Sequence, residues 1–188
     1  PHPTGPVGPA PKEHQVVYTT LHFDKPWSYE NYLKTGGYSA LRRILEEKIP
    51  PEQVIEMVKG SGLRGRGGAG FPTHVKISSA VGKADTIIVN GAECEPFLTC
   101  DYRLMLENGY ALLNGVRILL KASGASKAYV CLEDNKPLAA ENLNKILAEM
   151  TASGLMGQEE NIEIKVLPTK YPQGGERQLI QAVLGREV

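Results

Sequence analysis

The chain has 188 residues, 41% of them apolar and 22% charged, with 21 Lys plus Arg against 21 Asp plus Glu. That is long enough for one sizeable α/β domain, and the even balance of charge gives no basis for binding nucleic acid or an anionic membrane. No apolar run approaches the roughly 18–20 residues of a membrane-crossing helix, and the start lacks the apolar stretch of a secretory leader. Three cysteines without a C-x-x-C pair (Cys94, Cys100, Cys131) offer no metal site and fit an intracellular, reducing location.

Residues 1–14, PHPTGPVGPAPKEH, are dominated by proline and glycine and read as an extended arm with a processed end, the arm running on to residue 24. Val16 to His22 alternates weakly, as a short strand or an extended lead-in would. Ser28 stands where an N-cap is expected for a helix stopped by Gly36-Gly37. Trp27, Tyr29, Tyr32 and Tyr38 crowd this region and are expected to pack a small helical segment, residues 25–60, against the main body. Further helices are predicted over 39–48 and 51–60, the second opened by Pro51, with Val54, Ile55 and Val58 as its apolar stripe.

The stretch SGLRGRGGAGFPT, residues 61–73, follows. Glycines at 60, 62, 65, 67, 68 and 70 and arginines at 64 and 66 let another molecule approach the backbone closely, as a phosphate or a flat cofactor would. A turn that only lets two elements pack closely is the alternative. The stretch is not a P-loop, because no Gly-Lys-Ser/Thr follows, and it does not match Gly-x-Gly-x-x-Gly after a strand. A short helix over 74–81 then places Lys76 near the mouth of the loop, either solvated or facing an anionic group. His74 reads as a packed or exposed helix residue.

Thr86–Asn90 is a β-branched run suited to a buried parallel strand, and it ends in NGAECEP. Ligands of open α/β sheets sit at the carboxyl ends of strands, so Asn90, Glu93 and Glu95 are candidate contacts there, against the alternative of an exposed acidic loop. Asp101 is expected to cap one long helix over 101–124. A second strand over 128–132 makes Cys131 a small buried hydrophobe. A helix over 137–150, a third strand over 162–167, the turn KYPQGGER and a last helix over 177–185 complete a β-α-β-α-β order. The glycine loop, NGAECEP and KYPQGGER then converge on one edge, where Gly174-Gly175 is expected to offer free N–H groups to an anion. The fold class expected is α/β, a Rossmann-like three-layer domain with a mostly parallel sheet over 61–188, preceded by the small helical segment.

These motifs resemble the FMN- and NADH-binding flavoprotein subunits of respiratory complex I, bidirectional hydrogenases and the Rnf electron-transport complex. WSYENYLKTGGYSALRRIL and PPEQVIEMVKGSGLRGRGGAGFPT are similar to the front of the complex I flavoprotein subunit. From THVK through NGAECEP, LTCDYRLM and KYPQGGERQLIQAVLGREV the chain is closer to the Rnf counterpart, and the likeness covers about residues 25–188. The resemblance implies FMN in a Rossmann-like domain with NADH stacked on its ring. Gly65, Arg66, Gly67, Gly68 and Lys76 would approach FMN, and Asn90 and Glu93 would meet its ribityl chain and ring edge. Ala69, Phe71 and Glu95 would lie on the nicotinamide nucleotide side, and Tyr171, Gly174, Gly175 and Glu176 would close over the pair.

The implied activity is that of an NADH dehydrogenase subunit: hydride passes from NADH to FMN, then single electrons pass to iron–sulfur or ferredoxin-like redox partners. The clusters are expected in a partner subunit or in sequence beyond Val188, since the family continues into a cysteine-rich domain that these residues lack. A cytoplasmic place, at most peripheral to a membrane complex, goes with this. The alternative is a nucleotide-binding or docking module that does not turn over. Two positions depart from the complex I form and follow the Rnf-like one: Ala92 replaces an acid, and Gly174-Gly175-Glu176-Arg177 replaces a Gly-Glu-Glu-Thr run.

Overall fold

The computed structural model describes residues 20, 22–66, 69–157 and 160–187. Most of the arm and of the lead-in, together with Gly67 and Gly68, therefore lie outside the described residues; Thr20 and His22 are in turns. In chain order the elements are α1 (Tyr29–Lys34), α2 (Ser39–Glu46), α3 (Pro51–Gly60), α4 (Thr73–Ala80), β1 (Thr86–Gly91), α5 (Cys100–Glu107), α6 (Gly109–Ser123), β2 (Lys127–Glu133), α7 (Pro137–Ala152), β3 (Asn161–Leu167) and α8 (Glu176–Leu184).

The three strands form one parallel sheet in the order β1-β2-β3, with Thr86 opposite Lys127 and Lys127 opposite Asn161. The central strand alternates: Ala128, Val130 and Leu132 join the core made with α6 and α7, while Tyr129 and Cys131 join Leu179 and Val183 of α8. Parallel strands covered on both faces must be apolar on both, which is why β2 is buried from Ala128 onward except at half-buried Tyr129. Each fully buried aliphatic side chain such as Leu132 contributes about 1.5–3 kcal/mol. Burial also pushes the Cys131 thiol up to about 12, leaving it inert, as its position in the strand run implies.

The helical segment packs on the outer side of α6. Ile44, Ile49 and Val54 meet Ile77 of α4 and Ala122 of α6 in a second cluster. The tyrosines do the packing expected of them: Tyr32 meets Tyr38 edge-on with ring centroids 5.2 Å apart, Tyr29 lies 5.3 Å from Tyr110 of α6, and Asn114 Nδ2 donates to the Tyr32 hydroxyl at 3.0 Å. Trp27 is the exception and is exposed. Ser28 does cap α1, accepting the Asn31 N–H at 3.3 Å.

The single long helix expected over 101–124 is two helices. Asn108, at φ −134° and ψ 34°, breaks it, and the Asn-Gly pair was the available signal. Packing explains the break. A Cβ on Gly109 would stand 2.6 Å from Ile146 Cδ1, so α6 starts flush against α7, and Asn142 Nδ2 donates to the open carbonyls of Met105 and Leu106. Asp101 does not cap this helix either; the acceptor comes from Glu93, eight residues earlier.

Candidate functional site

The glycine loop is a closed excursion between α3 and α4. Arg64 bridges to Pro72, the Gly65 N–H donates to the Phe71 carbonyl at 2.9 Å, and Thr73 N–H donates to Leu63. Arg64 is spent inside the loop, its Nη1 donating to the Gly70 carbonyl at 2.9 Å, while Arg66 and Ala69 are exposed and Phe71 presents half its ring. Gly62 and Gly70 take positive φ, which accounts for glycine at those positions. Gly65 does not, and a Cβ there would meet only the Phe71 backbone at an ordinary 3.7 Å. Neither backbone conformation nor packing among the described residues requires glycine at 65.

Helix α4 leaves the loop with Lys76 in its first turn, and Lys76 Nζ lies 3.7 Å from Glu176 Oε1 at the start of α8. Both side chains are mostly exposed. The contact links the flank of the glycine loop to the turn after β3.

The turn after β1 is held by its own residues. Glu93 accepts the N–H groups of Asp101 at 2.9 Å and Tyr102 at 3.3 Å and the Cys100 thiol at 3.3 Å, so its carboxylate occupies the N-terminus of α5. That thiol is raised above its ordinary pKa chiefly by its hydrogen bond to Glu93, and Asp101 is raised by burial and the Glu93 charge. Glu93, Cys100 and Asp101 bring their donor atoms within 4.8 Å of one another, but both Glu93 oxygens are already used as the cap. Glu95 is exposed, and Phe97 is fully exposed at φ 66°, an uncommon conformation for a bulky residue.

Asn90, at the end of β1, faces the third stretch. Its Nδ2 donates to the Gly174 carbonyl at 2.8 Å and its Oδ1 accepts the Ala92 N–H at 3.2 Å, which leaves one N–H and one lone pair for another partner. The N–H groups expected to be free at Gly174-Gly175 are not. Gly174 donates to Cys94 Sγ at 3.0 Å and Gly175 to the Pro172 carbonyl at 2.9 Å, because the turn folds back on itself and against the β1 loop. Glycine at 174 answers to packing, since a Cβ would lie 2.6 Å from the Ala92 carbonyl oxygen. Gln173 beside it is 1% exposed, and neither Nε2 nor Oε1 has a hydrogen-bond partner among the described residues.

An open cleft of about 550 Å³ lies at this carboxyl edge, lined by residues 93–99, Tyr102, Glu133 at the end of β2, Asn135 and Lys136 of the loop after it, and residues 169–171. It brings Glu93, Glu95 and the exposed ring of Tyr171 together, while the described residues of the glycine loop lie outside its walls. Its floor holds a buried ion pair that no motif announces, Lys136 Nζ to Glu133 Oε2 at 3.4 Å. Beside it, Asp134 accepts both the N–H and the hydroxyl of Thr169, tying the second loop to the third. Cys94, Gln173 and this loop are the residues sequence reasoning passed over. Only the position of the loop at the end of a strand could have pointed to it.

A family model described as the Nuo51 FMN-binding domain matches residues 58–188. The chain is 41% identical over 143 residues to the C component of the proton-translocating ferredoxin:NAD(+) oxidoreductase complex of Clostridium ljungdahlii, covering 76% of this chain and 29% of that protein. It is 46% identical over 140 residues to the C component of the ion-translocating oxidoreductase complex of Haemophilus influenzae, covering 74% of this chain and 20% of that one. The chain thus spans less than a third of these relatives. Among solved structures, an NAD+-reducing NiFe-hydrogenase in the H2-reduced state superposes with a TM-score of 0.66 at 28% identity, over 73% of this chain and 25% of that one.

Proposed function

This chain belongs to the Nuo51 FMN-binding domain family, and from that premise we propose that it binds FMN against the glycine loop, takes NAD(H) at the same edge, and serves as the flavin module of a larger redox complex. The observation that carries the reading is Gly65, where neither a positive φ nor a close contact among the described residues calls for glycine. The residues present fit a flavin mononucleotide: a bare backbone for a flat ring, a lysine at the loop's flank for a phosphate, a half-used Asn90 amide, and a buried Gln173 amide without a partner. When bound, FMN supplies the redox chemistry, taking hydride from NADH and releasing electrons singly.

The protein's part is to bind and orient. Among the described residues Lys76 is held by an exposed pair with Glu176, worth about 0–1 kcal/mol, so its ammonium can turn to an anionic phosphate at little cost. The carboxylate of Glu93 keeps α5 and the acidic turn in place, so that Asn90 keeps its free donor and acceptor facing the edge. Glu95, on the wall of the cleft, and the exposed ring of Phe71 are assigned to the nicotinamide nucleotide, and Tyr171, also on that wall, to closing over the pair. Glu176 is freed for the same side when Lys76 turns away. Iron–sulfur or ferredoxin-like partners would receive the electrons, with the module peripheral to a membrane complex. No helix among the described residues is long and apolar enough to cross a membrane.

The test is an anaerobic titration. The chain loaded with FMN should show a flavin absorbance band that NADH bleaches. A flavin-loaded sample left oxidised by NADH would remove the dehydrogenase reading, and failure to bind FMN at micromolar concentration would leave a docking module.

A further inference from the structure

The peptide of Gly174 is gripped from both sides by the turn after β1. Asn90 Nδ2 donates to its carbonyl at 2.8 Å, and its N–H donates to Cys94 Sγ at 3.0 Å. The same sulfur lies 3.7 Å from the Ala92 carbonyl oxygen and 3.9 Å from Glu133 Oε1, so the thiol proton can be given to the first loop or to the end of β2. One half-buried thiol therefore joins the turn after β1, the last residue of β2 and the turn after β3. A thiol suits the place because it accepts and donates weakly and its long C–S bond reaches across the gap.

The fit is tight on the other side as well. A Cβ on residue 174 would stand 3.2 Å from Cys94 Sγ in addition to its clash with Ala92. A second observation points to a ligand: the turn holds the Gln173 amide 1% exposed, with both polar atoms unpaired among the described residues. Buried amides are almost always hydrogen-bonded, so a turn pinned in this state is set to receive a polar group from outside the protein.

We propose that Cys94 is a positioning residue of the flavin site, acting through the Gly174 peptide. Together with Asn90 it registers the turn 171–175 on the first loop, so that Gln173 and Tyr171 are in place before the ligand arrives. The inference rests on the FMN-binding reading above.

The experiment compares wild type, Cys94→Ala and Cys94→Ser in two measurements: amide hydrogen exchange of residues 171–178 in the FMN-free chain, and FMN affinity by flavin fluorescence. In Cys94→Ala, exchange should rise across 171–178 while α6, α7 and the thermal midpoint stay close to wild type. FMN should bind roughly three- to tenfold more weakly, the worth of one hydrogen bond. Cys94→Ser, whose hydroxyl can accept the same N–H, should recover most of both. Wild-type exchange and affinity in Cys94→Ala, or equal losses in the two variants, would overturn the proposal. If wild type bound no FMN while exchange still rose from wild type through Ser to Ala, the clamp would stand and the flavin reading alone would fail.

Discussion

Gly65 and Gly174 are glycines for opposite reasons. The first sits in a loop open to solvent, with nothing nearer than an ordinary contact where a side chain would begin; the second is wedged against the Ala92 carbonyl and the Cys94 sulfur. The first has room beside it among the described residues, and the second is space already used by the protein. On the proposed reading the two regions divide the labour, with the glycine loop offering backbone and the turn after β3 supplying a fixed wall.

The strongest way to break that comparison is Gly174→Ala. Its new methyl meets backbone that cannot rotate away, so unfolding free energy should fall by about 1–3 kcal/mol in denaturant titration. A smaller loss than that would mean the turn is not a wall. Next comes Gly65→Ala, which should leave stability unchanged or slightly higher, since alanine narrows the unfolded ensemble without a clash. The same variant should weaken FMN about tenfold, close to 1.4 kcal/mol. Lost stability together with unchanged flavin affinity would make Gly65 a packing glycine after all.

Gln173→Met sharpens the contrast from the other side. It replaces an unpaired buried amide with an apolar group of similar shape, so the FMN-free chain should gain up to about 1 kcal/mol, read as a higher thermal midpoint. A lower midpoint would show that the amide is already satisfied.

The smallest effect is on acid stability. Thr169, donating through its hydroxyl and its N–H, holds the Asp134 carboxyl below the usual carboxylate range. A depressed folded pKa gives stability that is present above the unfolded value and lost as pH falls through the folded one. Thermal midpoints measured between about pH 5 and pH 2 should therefore fall more steeply in wild type than in Asp134→Asn. Parallel curves would discard the link. Asp101, raised by burial, shifts the other way in both proteins and cancels in the difference.

Much of this architecture was legible in the chain because it is local. The β-branched run at 86–90 and the apolar run at 128–132, the proline opening α3 and the glycine closing α6 each carry their own signal within a few residues. The glycine loop was legible for the same reason. The break at Asn108 was written in an Asn-Gly pair but outweighed by the helical periodicity on either side, and only the seat of Gly109 against Ile146 shows why it is there.

Residue order alone thus specified the strands, most of the helices, the parallel sheet and the position of the bare loop, because each follows from the conformational preference of neighbouring residues; the division of α5 from α6 it did not. How polar groups at the edge are spent was settled by tertiary contact. Glu93 caps α5, Asn90 and Cys94 hold a peptide more than 75 residues away, and Lys136 is buried with Glu133. Such partners are chosen by which loops the sheet brings side by side, and a polar side chain read in its own segment carries no mark of which distant group will satisfy it.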